Sequence, residues 1–291
     1  MSTVYLNGEY LPKEEAHISP DDRGFLLADG VYEVTPFYQG VPFALDRHMR
    51  RLLRGLCWMR IEQDVSELPG MHHRLVEENG LEDAPTSLVY LQITRGAAPR
   101  THWFPEEPVQ PTVYAFARAW SRPAPDRWER GFTAATVPDR RWGRVDIKTI
   151  CLLPNVMGFQ DALEAGADDA ILVRDGVALE GAHQNFWGVF GGTVVTHPVT
   201  NHILPGITRE IVLEVARDHG FDVEERPIMV EELSRADELF FTGTTAEVRP
   251  CVQVDGRTVG DGIAGPVTRS LSAAFMKRLA ESRERVRAVA S

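Results

Sequence analysis

The chain has 291 residues, of which 43% are hydrophobic and 25% are charged, and its formal net charge is −11. This length fits one large or two moderate domains with buried cores, and it excludes fibrous proteins and short disulfide-stapled proteins. No apolar run approaches the ~20 residues that cross a bilayer, the first residues lack the features of a secretory signal, and the acidic balance disfavours a nucleic-acid partner. We therefore expect a cytoplasmic protein that binds neither membranes nor nucleic acids.

Turn dipeptides recur between strand-like runs along the chain, and they predict β-hairpins because their residues suit tight turns. These dipeptides are Asn7-Gly8, Gln39-Gly40, Asp175-Gly176, Gly191-Gly192 and Asp255-Gly256. Helices are predicted where apolar residues share one face or where a glycine follows the last turn, over residues 46–60, 65–79, 155–165, 207–219 and 266–286. This mixture of helices with many antiparallel strands indicates an α+β fold.

A proline-containing segment separates two halves of the chain. Pro123 and Pro125 suit an extended connector better than a core element. We therefore predict an N-terminal domain over residues 1–120, a linker over 121–127 and a C-terminal domain over 128–291.

Lysine is rare in this chain, since Lys13, Lys148 and Lys277 are the only lysines among 31 basic residues. Lys13 lies in a polar stretch and Lys277 in the last predicted helix, whereas Lys148 lies in the apolar, β-branched segment 145–153. An unpaired ammonium is costly to bury there. Lysine, unlike arginine, can release its proton and act as an amine nucleophile. Lys148 is therefore the candidate nucleophile.

The usual signatures of dinucleotide, nucleoside triphosphate, serine esterase and zinc protease sites are absent from the sequence. The three cysteines, Cys57, Cys151 and Cys251, lie far apart and form no C-x-x-C pair, so they indicate neither a disulfide framework nor a zinc site. We expect no bound metal.

Two segments have the composition of a phosphate-binding site. A Pro205-Gly206 turn runs into a predicted helix, so the amides of Ile207 and Thr208 and the Thr208 hydroxyl could hold a dianion. In the segment 242–245, a predicted strand ends in small hydroxyl-bearing residues that could complete the same site. Taken singly, each segment is more simply explained as a capped helix start or an ordinary turn.

Short motifs with a distinctive order and spacing lie along nearly the whole chain. In the first half they are Asp22-Arg23-Gly24, Asp29-Gly30-Val31-Tyr32-Glu33 and His48-Met49-Arg50-Arg51-Leu52. In the second half they are Asp146-Ile147-Lys148, Leu179-Glu180-Gly181 with Asn185, Gly206-Ile207-Thr208 and Thr242-Gly243-Thr244-Thr245. Together they resemble the fold-type IV pyridoxal-phosphate aminotransferases, and the segment 94–102 is most similar to the D-amino-acid aminotransferases of that family.

The resemblance implies a two-domain α+β fold, with a small N-terminal α/β domain, a larger β-rich C-terminal domain, and pyridoxal 5'-phosphate in the cleft between them. It also implies a homodimer in which residues of each subunit complete the other's site. The implied reaction is a ping-pong exchange of an amino group between a D-amino acid such as D-alanine and a 2-oxo acid such as 2-oxoglutarate.

The resemblance also implies tasks for individual residues. Lys148 condenses with the cofactor aldehyde and carries the proton between substrate and cofactor, while Glu180 keeps the pyridine nitrogen protonated. The residues implied to bind the cofactor phosphate are Arg51, Ile207, Thr208 and Thr244. The residues implied to bind the substrate carboxylate are Tyr32 and, from a loop that reaches into the partner's site, Arg100 and His102. Without the resemblance, Arg51, Glu180 and His102 would be interpreted as ordinary surface side chains.

Some positions depart from the family pattern. Residues 182–184 are Ala-His-Gln where relatives commonly carry small hydroxyl residues, Phe159 stands where a cation is frequent, and Gly243 stands where a serine often assists phosphate binding. These changes leave the substrate range open. The alternatives are a branched-chain L-aminotransferase, an (R)-amine transaminase, an aminodeoxychorismate lyase and a dimeric scaffold without catalysis. Arg100 with His102 argues against the first three, and Lys148 argues against the last.

Overall fold

The computed structural model describes residues 2–290, which form two compact units. Of the described residues, the first unit comprises 2–121, 147–151 and 282–290. The second unit comprises Arg122–Asp146 and Leu152–Glu281. None of the helices within residues 2–290 is long and apolar enough to cross a membrane.

The segment around Lys148 belongs to the first unit, although the predicted domain scheme groups it with residues 128–291. The reason is backbone pairing, because the Lys148 carbonyl accepts a hydrogen bond from the Tyr32 amide at 3.0 Å and the Ile150 amide donates to the Gly30 carbonyl at 3.1 Å. Sequence patterns do not reveal such pairing between distant segments. The domain scheme as a whole stays a prediction.

The predicted extended connector over residues 121–127 is wrong in its second half. A short helix spans Pro125–Arg130. Proline at the first position of a helix lacks only an amide that would have no helical partner, so Pro125 begins the helix instead of preventing it.

The first unit is built around a six-stranded sheet. Its strands, β1 to β6, are Thr3–Leu6, Glu9–Pro12, Gly30–Tyr38, Val41–Pro42, Ser87–Thr94 and Thr112–Ala119. They lie in the order β2-β1-β6-β5-β3-β4, and every neighbouring pair is antiparallel. The first three α-helices, α1 to α3, are Arg23–Leu27, Leu45–Met59 and Leu68–Glu78.

The two faces of this sheet differ in character. The face toward α2 and α3 forms the apolar core of the unit. The opposite face carries a row of aromatic rings, in which Tyr32 stacks on Tyr90 with 5.6 Å between centroids and Tyr90 stacks on Phe116 at 5.1 Å. Because successive residues of a strand point to opposite faces, Glu33 lies on the helix-covered face and is fully buried.

The second unit is built around a larger sheet. Its strands, β7 to β16, are Phe132–Pro138, Asp169–Arg174, Val177–Gly181, Asn185–Phe190, Thr193–Thr196, Val223–Glu225, Ile228–Met229, Glu238–Gly243, Glu247–Val254 and Arg257–Thr258. They follow the order β12-β11-β10-β14-β15-β7-β8-β9-β13, and β16 pairs with β15. An additional pairing of β9 with β10, at Glu180 and Asn185, closes β10-β14-β15-β7-β8-β9 into a ring. The remaining α-helices, α4 to α7, are Pro125–Arg130, Leu153–Glu164, Ile207–Asp218 and Pro266–Ala290.

The predicted secondary structure is largely confirmed. All five turn dipeptides connect neighbouring antiparallel strands; at the first of them, Asn7 and Gly8 have φ angles of 49° and 100°. The five predicted helices are present, with ends within about one turn of those expected. The sequence does not predict the short helices α1 and α4. Asp22 caps α1 by accepting a hydrogen bond from the Gly24 amide at 2.8 Å.

Candidate active site

Lys148 lies half-buried in the first unit beside β3. Its carbonyl accepts the hydrogen bond from the Tyr32 amide, and its Nζ lies 4.0 Å from the centroid of the Tyr32 ring. The flanking Ile147 and Thr149 are buried, which fixes the backbone on both sides. Tyr32 thus positions both the backbone and the amine of Lys148, and the ring face attracts the ammonium form.

Arg51, from α2, is buried and paired with Glu33 of β3. Its Nε and Nη2 donate to the two Glu33 oxygens at 2.7 and 2.8 Å, and Glu33 also contacts His48 Nδ1 at 2.9 Å. Burial alone would raise the pKa of Glu33, but the charge and hydrogen bonds of Arg51, together with the bond to His48, hold this pKa well below its usual range. Burial lowers the pKa of His48, and the nearby Arg51 and Lys148 charges act in the same direction.

Arg100 and His102 are exposed on an irregular loop that follows β5. The middle of the loop is anchored, because Arg23 Nη1 donates to the Thr101 carbonyl at 3.1 Å and the Arg95 guanidinium lies 3.8 Å from the centroid of the Phe104 ring. Within residues 2–290, no hydrogen bond or ion pair joins Arg100 or His102 to another side chain. Both side chains are therefore available to a ligand or to a second subunit.

Glu180, at the end of β9, is the most highly connected buried carboxylate of the predicted site. Its Oε2 accepts hydrogen bonds from Asn185 Nδ2 at 3.0 Å and from the Leu204 amide at 3.1 Å, and its Oε1 contacts Arg141 Nη1. Burial raises the pKa of Glu180, while the Arg141 charge and hydrogen bond oppose that rise. The carboxylate is thus held in a fixed orientation by an amide, a side chain and a cation.

The Glu180 network extends to the start of α6. Asn185 Nδ2 also donates to the Leu204 carbonyl at 2.8 Å, so the loop before the helix is tied to β10. A Cβ at position 206 would overlap Asn185 Oδ1, which explains glycine there. No side chain caps this helix start, and Ile207 and Thr208, both buried, present the first helical amides. A helix start of this kind suits an anion.

Thr244 lies in the turn that follows β14, and it is half-buried. Strand β14 neighbours β10, with Thr242 opposite Asn185, so Thr244 lies just beyond the strand end that carries Asn185. The Thr242 hydroxyl accepts a hydrogen bond from Trp187 Nε1 at 2.8 Å. Within residues 2–290, no hydrogen bond occupies the Thr244 hydroxyl, so it is available to a ligand.

Two departures from the family pattern compensate each other in space. Gln184 is buried, and its amide contacts Asp169 of β8. Its Cγ lies 3.2 Å from the position that a Cβ at residue 243 would occupy. Gly243 therefore leaves room for Gln184. His183 remains exposed, with its ring edge toward Phe159 at 5.4 Å between centroids.

Comparison with known proteins assigns the chain to a family. Residues 30–254 match the family described as amino-transferase class IV. The chain belongs to this family. Class IV aminotransferases are pyridoxal-phosphate enzymes, and the fold-type IV architecture is confirmed.

The similarity to individual relatives extends beyond the residues that match the family, to nearly the whole chain. The D-alanine aminotransferase of Staphylococcus haemolyticus is 40% identical over 285 residues, which cover 97% of this chain and 99% of the relative. The D-alanine aminotransferase of Bacillus licheniformis is 40% identical over 278 residues, with 95% and 96% covered. Among solved structures, the branched-chain amino acid aminotransferase of Escherichia coli has a TM-score of 0.88 at 27% identity, with 95% and 94% covered. That of Thermoproteus uzoniensis, with norvaline, has a TM-score of 0.85 at 29% identity, with 95% and 94% covered.

The residues of this aminotransferase fit pyridoxal phosphate. The Glu180 carboxylate accepts three hydrogen bonds within the described chain, of about four that a carboxylate can accept. It can therefore accept one more, from a protonated ring nitrogen. The uncapped start of α6 suits the phosphate group, and Lys148 provides a primary amine. Among residues 2–290, no cluster of side chains could hold a metal ion.

The structure brings some of the predicted site residues together. Lys148 contacts Tyr32, and Glu180 is linked through Asn185 to the loop that precedes Ile207. Arg141, the partner of Glu180, is not among the residues predicted from the sequence, because no local pattern indicates it. The partner of Arg51 is Glu33, which lies among buried residues of β3, and its burial is evident only in the structure.

Proposed function

We propose that this class IV aminotransferase exchanges an amino group between a D-amino acid, such as D-alanine, and a 2-oxo acid, such as 2-oxoglutarate, in a ping-pong reaction. The observation that carries the substrate class is the full-length similarity, at 40% identity, to a D-alanine aminotransferase. The reaction type is supported by the half-buried amine of Lys148 and the buried carboxylate of Glu180.

Bound pyridoxal phosphate supplies an aldehyde that condenses with amines and a ring that accepts electrons from the substrate Cα. The Lys148 amine would take the proton from the Cα of the amino donor and deliver it to the former aldehyde carbon of the cofactor, and it would move a proton in the reverse direction when the 2-oxo acid reacts. Glu180 holds a proton on the ring nitrogen through its remaining acceptor position. Arg141 and Asn185 keep the Glu180 carboxylate in the orientation that this task requires.

The phosphate group is assigned to the start of α6 and to the turn after β14. The amides of Ile207 and Thr208 and the hydroxyl of Thr244 are the proposed donors. Arg51 is the proposed cation, and its two bonds to Glu33 set the direction of its guanidinium. An arginine whose orientation is fixed in this way suits bidentate binding of a phosphate.

We assign the substrate carboxylate to Tyr32 of one subunit and to Arg100 and His102 of its partner in a homodimer. The loop that carries these two residues is anchored at Thr101, between them, and it exposes Trp103, which is 64% accessible. An exposed tryptophan next to an unpaired arginine is typical of protein interfaces. A carboxylate fixed on one side of the site selects the enantiomer whose Cα proton faces Lys148.

Trapping of the cofactor tests the nucleophile. The protein is incubated with pyridoxal phosphate, reduced with borohydride and digested, and we expect the adduct on Lys148. Lys277, an exposed lysine, gives the matched control, since Lys277→Ala should trap as much cofactor as the wild type and Lys148→Ala should trap none. A protein that traps nothing at Lys148 is not the proposed enzyme.

The amino donor is tested by single half-reactions. The cofactor-loaded protein is mixed separately with D-alanine, L-leucine, (R)-1-phenylethylamine and aminodeoxychorismate, and the cofactor absorbance and pyruvate are followed. We expect conversion with D-alanine. The branched-chain L-aminotransferase is the second candidate, because the E. coli enzyme of that name has the TM-score of 0.88; fast conversion of L-leucine alone would establish it.

The cytoplasmic location expected from the sequence stays a prediction. Cell fractionation followed by immunoblotting tests it, and recovery of the protein in a membrane or secreted fraction would contradict it.

A further inference from the structure

Glu180 begins a row of four charged side chains of alternating sign, which ends at the surface of the second unit. Arg141, beside Glu180, donates to Asp139 from Nε at 2.8 Å and from Nη2 at 3.1 Å. Asp139 in turn pairs with Arg174 Nη2 at 2.9 Å. The side chains of Asp139 and Arg141 are almost completely buried, whereas that of Arg174 is 21% exposed.

Asp139 is fixed by its backbone as well as by its side chain. It directly follows β7, and its amide donates to the Val173 carbonyl of β8 at 2.8 Å. Arg141 therefore receives its orientation from a carboxylate that is itself held by the sheet. The arrangement leaves one guanidinium nitrogen, Nη1, for the contact with Glu180 Oε1.

Because Arg141 pairs with two carboxylates, its electrostatic attraction for the Glu180 carboxylate is reduced. In a buried site of low dielectric constant, a cation that is neutralised on one side attracts a second carboxylate less strongly. Asp139 therefore weakens the pull of Arg141 on the electrons of Glu180. Arg174 has the opposite effect on Glu180. It partly neutralises Asp139, and Asp139 then weakens the attraction of Arg141 for Glu180 less.

We propose that Asp139 is a positioning residue of the reaction, which, through Arg141, keeps Glu180 a strong enough acceptor to hold the proton on the ring nitrogen of pyridoxal phosphate. This inference rests on the proposed function. Within the described chain, the groups that contact the Glu180 carboxylate are Arg141, Asn185 and the Leu204 amide, and Asp139 is the further charge that acts on it. The negative charge of Asp139 favours a raised Glu180 pKa, in the same direction as burial.

The test measures the proton on the ring nitrogen directly. The enzyme is loaded with ¹⁵N-labelled pyridoxal phosphate, and the ¹⁵N signal is followed over a pH series. In Asp139→Asn, which keeps the shape but removes the charge, the pH at which the nitrogen loses its proton should fall by about one unit relative to the wild type. The kcat with D-alanine should fall about tenfold for the same reason, with a smaller change in KM.

Arg174→Gln is the decisive second variant, because the alternating charges predict the opposite sign. In this variant, the pH at which the ring nitrogen loses its proton should rise. If the substitutions only loosened the structure, this pH would shift in the same direction in both variants. The matched control is Asp161→Asn, which removes the carboxylate of an exposed pair with Arg140 and should leave the ¹⁵N signal unchanged. If Asp139→Asn does not fold, Arg174→Gln tests the proposal by itself. A rise in the pH at which the ring nitrogen loses its proton supports the proposal, and a fall or no change in this pH overturns it.

Failure of this inference can be told apart from failure of the proposed function. A wild-type protein in which borohydride traps no cofactor on Lys148 refutes the proposed function itself. A wild-type protein that is trapped normally, but whose ¹⁵N profile is unaffected by Asp139→Asn, refutes only the role of Asp139.

Discussion

At the scale of single residues, the Glu33 carboxylate is the main partner of a buried cation, Arg51. Its carboxylate is fully buried between β3 and α2, with two hydrogen bonds from Arg51 and one contact with His48. Because the pKa of Glu33 lies below its usual range, the group stays ionised at neutral pH. Its loss would leave the positive charge of Arg51 buried without its main partner.

Glu33→Gln should therefore lower the free energy of unfolding by about 3–5 kcal/mol. Urea unfolding of the variant at neutral pH measures this. The matched control is Asp46→Asn, which removes an exposed pair with Arg50 on the same helix and should change stability little. Since the folded protein depresses the Glu33 pKa, its contribution is present above the ordinary value of 4.5 and is lost at lower pH. The difference in the free energy of unfolding between wild type and variant should thus become smaller below about pH 4.5. A difference that stays constant with pH would contradict a stabilising role of the ion pair.

His72 of α3 makes the opposite kind of contribution. The ring is fully buried, lies 2.7 Å from the Leu68 carbonyl, and has a pKa that burial lowers from 6.5 to about 4. Between these pH values the unfolded chain binds a proton that the folded protein does not, so stability falls as the pH drops from 6.5 to about 4. In His72→Gln this loss, of about 3 kcal/mol at most, should disappear. Urea unfolding midpoints measured between pH 7 and 4.5 test this, and a variant of an exposed histidine, His17→Gln, is the control. If the midpoint depends on pH equally in the wild type and in His72→Gln, the proposed contribution of His72 is refuted.

At the scale of elements, the start of α6 depends on the absence of a side chain at position 206. Gly206→Ala would push Asn185 from its bonds to Leu204 and Glu180. We expect pyridoxal phosphate to bind about tenfold more weakly, which corresponds to the loss of one hydrogen bond of ~1.4 kcal/mol. Equilibrium dialysis of the apoprotein measures this. Gly70→Ala on α3, where an added Cβ meets nothing within 4 Å, should leave cofactor binding unchanged.

Local patterns predict the elements well, because their causes are local. The turn at Asn7-Gly8 follows from residues that accept positive φ angles, and α6 follows from a turn that precedes an amphipathic segment. The helix that begins at Pro125 escapes prediction, because the same proline suits both an extended connector and a helix start.

The candidate site is predicted only in part, because its contacts are long-range. Composition singles out Lys148, yet nothing near it in sequence indicates that its carbonyl pairs with the Tyr32 amide. In the same way, the resemblance points to Glu180, whereas its contact with Arg141 joins two segments that only the folded sheet brings together. Residue types can thus be read from the sequence, while the charges that surround them cannot.

At the scale of the whole molecule, the proposed homodimer makes each site depend on two chains. Arg100 and His102 are exposed and, within residues 2–290, form no bond to another side chain, whereas Lys148 is held against β3 of its own chain. If the loop serves the partner subunit, a defect in the loop and a defect in the amine can be placed on different chains. The two defects then fall in the same site of a mixed dimer, and the other site is intact.

Mixing Lys148→Ala with Arg100→Ala should therefore restore activity that neither variant has alone. Random exchange of equal amounts makes about half of the dimers mixed, each with one intact site, so we expect about one quarter of the wild-type rate with D-alanine. Subunits are exchanged by mild denaturation and refolding. A mixture of Lys148→Ala with wild type should keep half of the wild-type rate whether or not subunits exchange, so it controls for activity lost during the procedure. If Arg100 acted within its own chain, the mixed dimer would contain no intact site, and the mixture would stay as inactive as its two components.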